Sequence, residues 1–515
     1  MGLSLAQWII SAMQWINQVE VRVVETQNRH GAAQPGHPDS TRRWPFILLG
    51  VWLAGCAQFE PRPISPAETS SKLDARSLDD AGLRTFLETN LGHELEDWPP
   101  ASWDLNTLTL AAFYYQPSLE VARAQWSVAQ ASVRTAGGRP NPTLGLTPGY
   151  DFSAANGLSP WLPFFNLDVP LETAGKRRKR TTKAQHLSES ARLNIATVGW
   201  QVRRSVRESS LDFVTANRRT TLLEQQLATH EQIVKLLEQR LAVGAISQPE
   251  LTTARIALNK TRLDLSDARS KGADARARLA ESLGVSASAL DGITVKFDST
   301  QQRAEELTSL EARRMALRGR YDILGALSDY AAAETELGLQ IAKQFPDVHL
   351  NPGYQFDQGD NKWTLGITFE LPVLNQNQGP IAEAGARREE AAARFTELQA
   401  KTIGEIDRAV AAHRVAREQL ATSDSVLAAQ EQQRQSVEAQ SKAGAADQFD
   451  QLNAELELGV AKLAQLDGQV KLQQSIGSLE DALQRPVDET REAMSTVINT
   501  VGRAPSQVET NRKKQ

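Results

Sequence analysis

Two periodicities alternate along the chain, and each occurs twice. Between about residues 176 and 243, apolar side chains recur at helical spacing: Leu211, Val214, Leu222, Leu227, Ile233, Leu236, Leu237 and Leu241. No proline interrupts residues 176–242. At 1.5 Å per residue such a helix would run roughly 100 Å, several times a globular helix. A comparable stretch covers about 380–443, and shorter helices are predicted over about 247–284 and 447–485. The apolar stripe is sparse and alanine-rich, which suits neighbouring helices packed in coiled-coil fashion along a wall rather than a thick core.

Elsewhere the period is two. Trp363, Leu365, Ile367 and Phe369 share one face of an extended segment, and Thr364, Gly366, Thr368 and Glu370 share the other. Strands are predicted at about 142–152, 161–171, 347–357 and 362–372. Each is long enough for one tilted membrane crossing, and apolar-out, polar-in alternation with terminal aromatics is what a transmembrane barrel requires. Four strands close no barrel alone, so several chains must contribute.

The two halves follow one plan. Pro148-Gly149-Tyr150 returns as Pro352-Gly353-Tyr354, Val169-Pro170-Leu171 aligns with Leu371-Pro372-Val373, and Gly244-Ala245 with Gly444-Ala445. All three pairs lie about 200 residues apart, in the same order. This divides the chain into a leader at 1–55, which carries either a misassigned start or an added leader segment, and a tether at 56–104 carrying one short helix. A first repeat follows at 105–290, then a linker at 291–310, a second repeat at 311–486 and a disordered tail at 487–515. The expected fold is mainly α with a small β part, built on an internally duplicated protomer.

Composition narrows the function. A net charge of -5 and 6% aromatics over 515 residues give no reason to expect a nucleic-acid partner. The densest charge run, Lys176-Arg177-Arg178-Lys179-Arg180, reads as a solvated collar where strand becomes helix, with contact to anionic lipid as the other reading. The sole cysteine, Cys56, excludes an intramolecular disulfide. It follows Arg42-Arg43, the mainly apolar stretch 44–54 and Leu53-Ala54-Gly55, an order that reads as a lipoprotein signal with Cys56 as the acylated residue. About forty residues precede Arg42, longer than such signals run. No phosphate loop, metal-ligand spacing or catalytic triad is recognisable, and the seven histidines are scattered, so no enzyme, metal site or cofactor is expected.

Arg139-Pro140-Asn141-Pro142, Glu172-Thr173-Ala174-Gly175-Lys176-Arg177 and the stretch 240–247 complete a pattern that resembles the TolC family of outer-membrane efflux proteins. The resemblance implies a homotrimer with a shared twelve-stranded barrel continued by a long periplasmic α-helical barrel. Its implied partners are a periplasmic adaptor protein, an inner-membrane RND-type pump and outer-membrane lipid. It also implies passive conduction of metal ions or small toxic compounds, and the Glu172–Arg177 stretch leans toward the heavy-metal branch. Adaptor contact is expected at the two helical turns, through Val243, Gly244, Ala245 and Ser247, and through Ala443, Gly444, Ala445 and Asp447. Asp450 matches a family aspartate ring at the periplasmic gate, whereas Asn453 departs from its second aspartate. A type I protein-secretion duct and a pore-free periplasmic coiled-coil scaffold are the competing readings.

Overall fold

The computed structural model describes residues 59–155, 157–296 and 307–486. The chain divides into Met1–Ser65 and Pro66–Gln515, and the second unit carries everything that follows. Cys56, the expected leader and the expected tail lie outside the described residues.

Ten α-helices are described: α1 (Pro66–Asp74), α2 (Ala81–Leu91), α3 (Leu105–Tyr115), α4 (Pro117–Gly137), α5 (Lys176–Ala242), α6 (Gln248–Leu283), α7 (Leu310–Gly319), α8 (Tyr321–Ala342), α9 (Gln378–Lys442) and α10 (Gln448–Leu483). The four strands are β1 (Thr143–Thr147), β2 (Phe164–Leu171), β3 (Val348–Asp357) and β4 (Asp360–Phe369). The duplication is visible in the lengths: α5 and α9 have 67 and 65 residues, and α6 and α10 have 36 each. No described helix is long and apolar enough to cross a membrane.

The strands form one antiparallel sheet in the order β1-β2-β3-β4. Each repeat supplies a hairpin, and β2 pairs with β3 across the repeats, Val169 opposite Leu350 and Leu171 opposite Val348. The β3–β4 turn is tight because Gln358 and Gly359 both take positive φ. β1 is shorter than expected. After Thr147 the pairing shrinks to a bridge between Tyr150 and Trp161, whose rings pack edge-on at 5.1 Å.

Sequence reading placed residues 56–104 in a tether, and from Arg76 onward the structure corrects this. Leu83, Leu87 and Trp103 are fully buried against Leu108, Leu110, Leu279 and Leu283. The Arg76 guanidinium donates to the carbonyls of Tyr115 (2.6 Å) and Gly284 (3.0 Å). The Trp103 N–H donates to Thr294 O, and Lys296 N–H donates to Trp103 O, both at 2.8 Å. The proline-rich composition masked a segment whose few large apolar residues all point inward.

Within each repeat two helices form an antiparallel hairpin. The first is cross-linked by Glu224–Arg269 (2.8 Å), Glu231–Arg262 (3.1 Å) and Glu238–Arg255 (2.7 Å). Both series step by seven residues, the repeat of a coiled-coil flank. Links across the second hairpin include Gln465 to Asp424 (2.7 Å) and Lys471 to Gln419 (3.2 Å).

Candidate functional site

Register and alternation together sort the sheet into two faces. Tyr354 lies opposite Trp363, Pro352 opposite Leu365, Leu350 opposite Ile367 and Val348 opposite Phe369. Phe165 lies opposite Tyr354, Leu144 opposite Leu167, and Leu146 opposite Phe165. One continuous apolar face therefore crosses all four strands. Trp363 is 80% exposed, Leu365 64% and Leu144 63%, a large apolar area left without cover. The other face carries Thr143, Asn166, Asp168, His349, Asn351, Thr364 and Thr368, with the Asn351 amide donating to Thr368 at 2.9 Å. Tyr150, Phe152, Trp161, Tyr354 and Trp363 gather at the end away from the helices, where aromatics suit a membrane–water boundary. Within this protomer β1 and β4 each have one unpaired edge.

The basic run at the sheet-to-helix handover is a collar. Lys176 pairs with Asp347 at 2.8 Å, and Arg180 with Glu172 at 2.6 Å. Arg177 donates to Gly137 O (2.6 Å), and Arg180 to Ala136 O (2.9 Å) and Gly138 O (3.1 Å). These carbonyls end α4, where they lack intrahelical donors and carry the negative end of the helix dipole. Burial raises the pKa of Asp347, but the Lys176 ammonium and the Thr173 N–H outweigh it, and the carboxyl lies below its ordinary range.

At the far ends of the hairpins the chain reverses through Gly244 (φ +72°) and Gly444 (φ +77°). No atom stands within 4 Å of a Cβ built at either, so the backbone angle rather than space requires glycine there. Val243, Ala245, Ala443 and Ala445 are exposed. The Ser247 hydroxyl and N–H both donate to Glu250, at 2.7 and 3.4 Å. Asp447 and Asp450 form a reciprocal capping box: Asp450 N–H donates to Asp447 (2.9 Å), and Asp447 N–H to Asp450 (3.0 Å). In this protomer the Asp450 carboxylate is thus engaged in capping α10. Asn453 lies one turn further on and is half-buried.

Sequence reasoning missed what joins the two hairpins. Near the turns, Arg240 of α5 pairs with Asp447 of α10 at 2.5 Å and lies over the Phe449 ring, 5.5 Å from its centroid. The Asp450 N–H and then Arg240 hold the Asp447 carboxyl below its ordinary pKa. Midway, Arg219 pairs with Asp467 at 2.7 Å. At the opposite end Arg203 and Glu480 form a two-fold pair at 3.2 Å, with both side chains 1% exposed. Arg207 contacts the same carboxylate and donates to Gln473 O at 3.3 Å. Gly477 makes room for it, since a Cβ there would stand 2.9 Å from Arg207 Nε. Arg204 faces Asp481 at 3.4 Å. Burial pushes the Asp481 carboxyl up to about 6, against the pull of Arg204.

A sheet with an exposed apolar face and open edges, backed by long helical hairpins, is suited to a shared membrane barrel with a helical extension. Residues 112–285 match the family described as Outer membrane efflux protein. The cobalt-zinc-cadmium resistance protein CzcC of Cupriavidus metallidurans is 24% identical over 42% of this chain and 52% of its own length. Outer membrane protein OprJ of Pseudomonas aeruginosa is 23% identical over 75% of this chain and 83% of its own. The chain spans 52% to 59% of the first curated relatives it matches, CzcC and the cation efflux system protein CusC of Escherichia coli. Among solved structures, the CmeC outer membrane channel of Campylobacter jejuni shares the fold with a TM-score of 0.62. It is 16% identical over 92% of this chain and 99% of that one. The outer membrane protein VceC of Vibrio cholerae has a TM-score of 0.61 at 21% identity, over 76% and 100%. The fold is thus shared with solved outer membrane channels, and the stretch 112–285 resembles the outer membrane efflux family.

Proposed function

We propose that this protein is the outer-membrane channel of a tripartite efflux system, conducting metal ions or small toxic compounds passively from a pump and adaptor to the exterior. The observation that carries the reading is the apolar face running across all four strands of a sheet with two open edges. Three copies joined edge to edge would close a twelve-stranded barrel with that face toward lipid and the Thr, Asn and Asp face toward water. No barrel strand then keeps an unpaired edge, which hydrocarbon would not tolerate. The paired hairpins, with α5 roughly 100 Å long, would continue the pore as a periplasmic tunnel.

The exposed turns Val243-Gly244-Ala245 and Ala443-Gly444-Ala445, with Ser247 and Asp447 just after them, form the docking surface for the adaptor. Their small residues let another helical tip approach closely. Asp450 lies near the mouth of that tunnel, where three copies would gather negative charge. Acylation at Cys56 would anchor the N-terminus beside the barrel. The names of CzcC and CusC, a cobalt-zinc-cadmium resistance protein and a cation efflux system protein, favour metal cations as cargo.

Planar-bilayer recording of the detergent-purified protein tests the reading. Trimer-dependent single-channel conductance is expected, together with loss of membrane insertion in Ile367→Lys, whose charge would sit on the lipid face. A protein that stays water-soluble and conducts nothing would overturn it in favour of a scaffold.

A further inference from the structure

The duplication shows one joint twice, once closed within the chain and once as two open halves. Where β2 hands over to α5, the first repeat's exit (Glu172, Thr173, Lys176) closes on the second repeat's entry, Pro346-Asp347. The Thr173 N–H donates to Asp347 Oδ1 at 2.9 Å, its hydroxyl donates to Pro346 O at 2.7 Å, and Lys176 pairs with Asp347 at 2.8 Å. The equivalent exit of the second repeat is Leu374, Asn375 and Gln378. Val169-Pro170-Leu171 against Leu371-Pro372-Val373 sets that correspondence, and Gly175 and Asn377 take the same left-handed φ just before α5 and α9. Pro148-Gly149-Tyr150 against Pro352-Gly353-Tyr354 makes Pro142-Thr143 the equivalent entry of the first repeat. In the closed joint Lys176 is buried, and Glu172, Thr173, Pro346 and Asp347 are half-buried. In the open halves Leu374 is 97% exposed, and Asn375, Gln378, Pro142 and Thr143 are exposed too.

Both open halves lie at the sheet's free edges, one after β4 and one before β1. Inside the chain Leu171 stands opposite Val348, and Val169 opposite Leu350. Carried across by the same correspondence, this register sets Val373 opposite Leu144 and Leu371 opposite Leu146 of a second copy. All four side chains are now uncovered, at 77%, 63%, 65% and 60% exposure in that order. In this register they continue the apolar face without a break, whereas a slip of one residue would set them against polar-face positions. The charges agree with the pairing. Lys176 and Asp347 correspond to Gln378 and Thr143, so both members of the ion pair are neutral in the open halves. Keeping only one charge would leave it unpaired when the joint closed. Lipid alone would cover the leucines but leave Asn375, Gln378 and Thr143 without polar partners. Building on the duct reading, we propose that residues 371–378 of one copy close on residues 142–146 of the next in this register. The joint between copies is then neutral, where the joint inside each chain is ionic, and it holds no charge pair for salt to screen.

Disulfide cross-linking of the detergent-purified full-length protein tests this. Val373→Cys combined with Leu144→Cys should give covalent dimers and trimers on oxidation, because facing strand positions lie within disulfide reach. Either single variant, which keeps the native Cys56, supplies the background. The pair shifted by one residue, Val373→Cys with Thr143→Cys, puts the thiols on opposite faces and should yield about tenfold less product or lower. Equal yield from the shifted pair would overturn the register. No product from either pair, in a protein that still conducts, would overturn the joint and leave the duct reading standing. A second measurement reads the neutral contact. Thr143→Asp should lower the temperature at which the trimer dissociates, and adding Gln378→Lys should restore it by rebuilding the pair found inside the chain. Absence of that rescue would mean that the two positions do not meet.

Discussion

The same two helices, α5 and α10, are joined in different ways at their two ends. Near the sequence's Arg203 level the junction is a buried cluster: two arginines on one carboxylate, sealed from water, with a glycine making space. Near the turns it is Arg240 on Asp447, with side chains 30% and 51% exposed, over a partly buried patch of Phe449, Leu452 and Leu456. Desolvated charges are costly to separate, because each would be left alone in a low-dielectric interior. An exposed pair loses little when water replaces the partner. The comparison therefore teaches where the two repeats are fixed to each other and where they are free to part: fixed at the buried end, releasable at the turns.

The buried end offers the largest break. Glu480→Gln leaves Arg203 and Arg207 buried without their carboxylate and should cost about 3–5 kcal/mol, read as a lowered denaturation midpoint. A cost under about 1 kcal/mol would make the two ends alike and remove the contrast. Next is pH. Asp481 has a folded pKa of about 6, above its unfolded value. Its protonated form favours the fold fully below about pH 4, and that contribution is lost as pH rises through 6, up to about 3 kcal/mol in all. Stability measured from pH 4 to 7 should fall accordingly, and Asp481→Asn should flatten that part of the profile. An unchanged slope would mean that Asp481 titrates normally.

At the turns the effects shrink. Asp450→Ala removes one arm of a capping box and should cost about 1 kcal/mol. If conductance and cation block also stay unchanged, Asp450 is a cap and no gate. Arg240→Gln should change stability by less than about 1 kcal/mol, yet raise closed-state conductance, because it loosens only the releasable end. The Asp447 carboxyl is held below its ordinary range, so acid should loosen the same link only well below pH 4. The smallest effect belongs to the first hairpin. Glu231→Arg should cost on the order of 0.5 kcal/mol, restored by Arg262→Glu.

Much of the fold was legible because it is periodic. The helix limits expected at about 176–243 and 380–443 lie within two residues of Lys176–Ala242 and Gln378–Lys442. A long repeat has only a few places to stop, and glycine marks them. The short β1 was harder to read, since Tyr150 and Trp161 look strand-like and keep only an isolated bridge. The seven-residue steps of Glu224, Glu231, Glu238 and of Arg255, Arg262, Arg269 were present in the sequence as a readable signal, and a search for charge spacing would have found them.

The sequence by itself determined the two periods, the duplication, the reversals at Gly244 and Gly444, and the apolar face of β4, because each depends on neighbours within a few residues. Tertiary structure alone decided that Arg203 and Arg207 meet Glu480, that Arg240 meets Asp447, and that residues 76–103 belong to the core. These partners stand tens to hundreds of residues apart, and no local pattern says which of many charges will be buried together. Only the packing of one repeat against the other selects them, by excluding water around some pairs and leaving the rest in it.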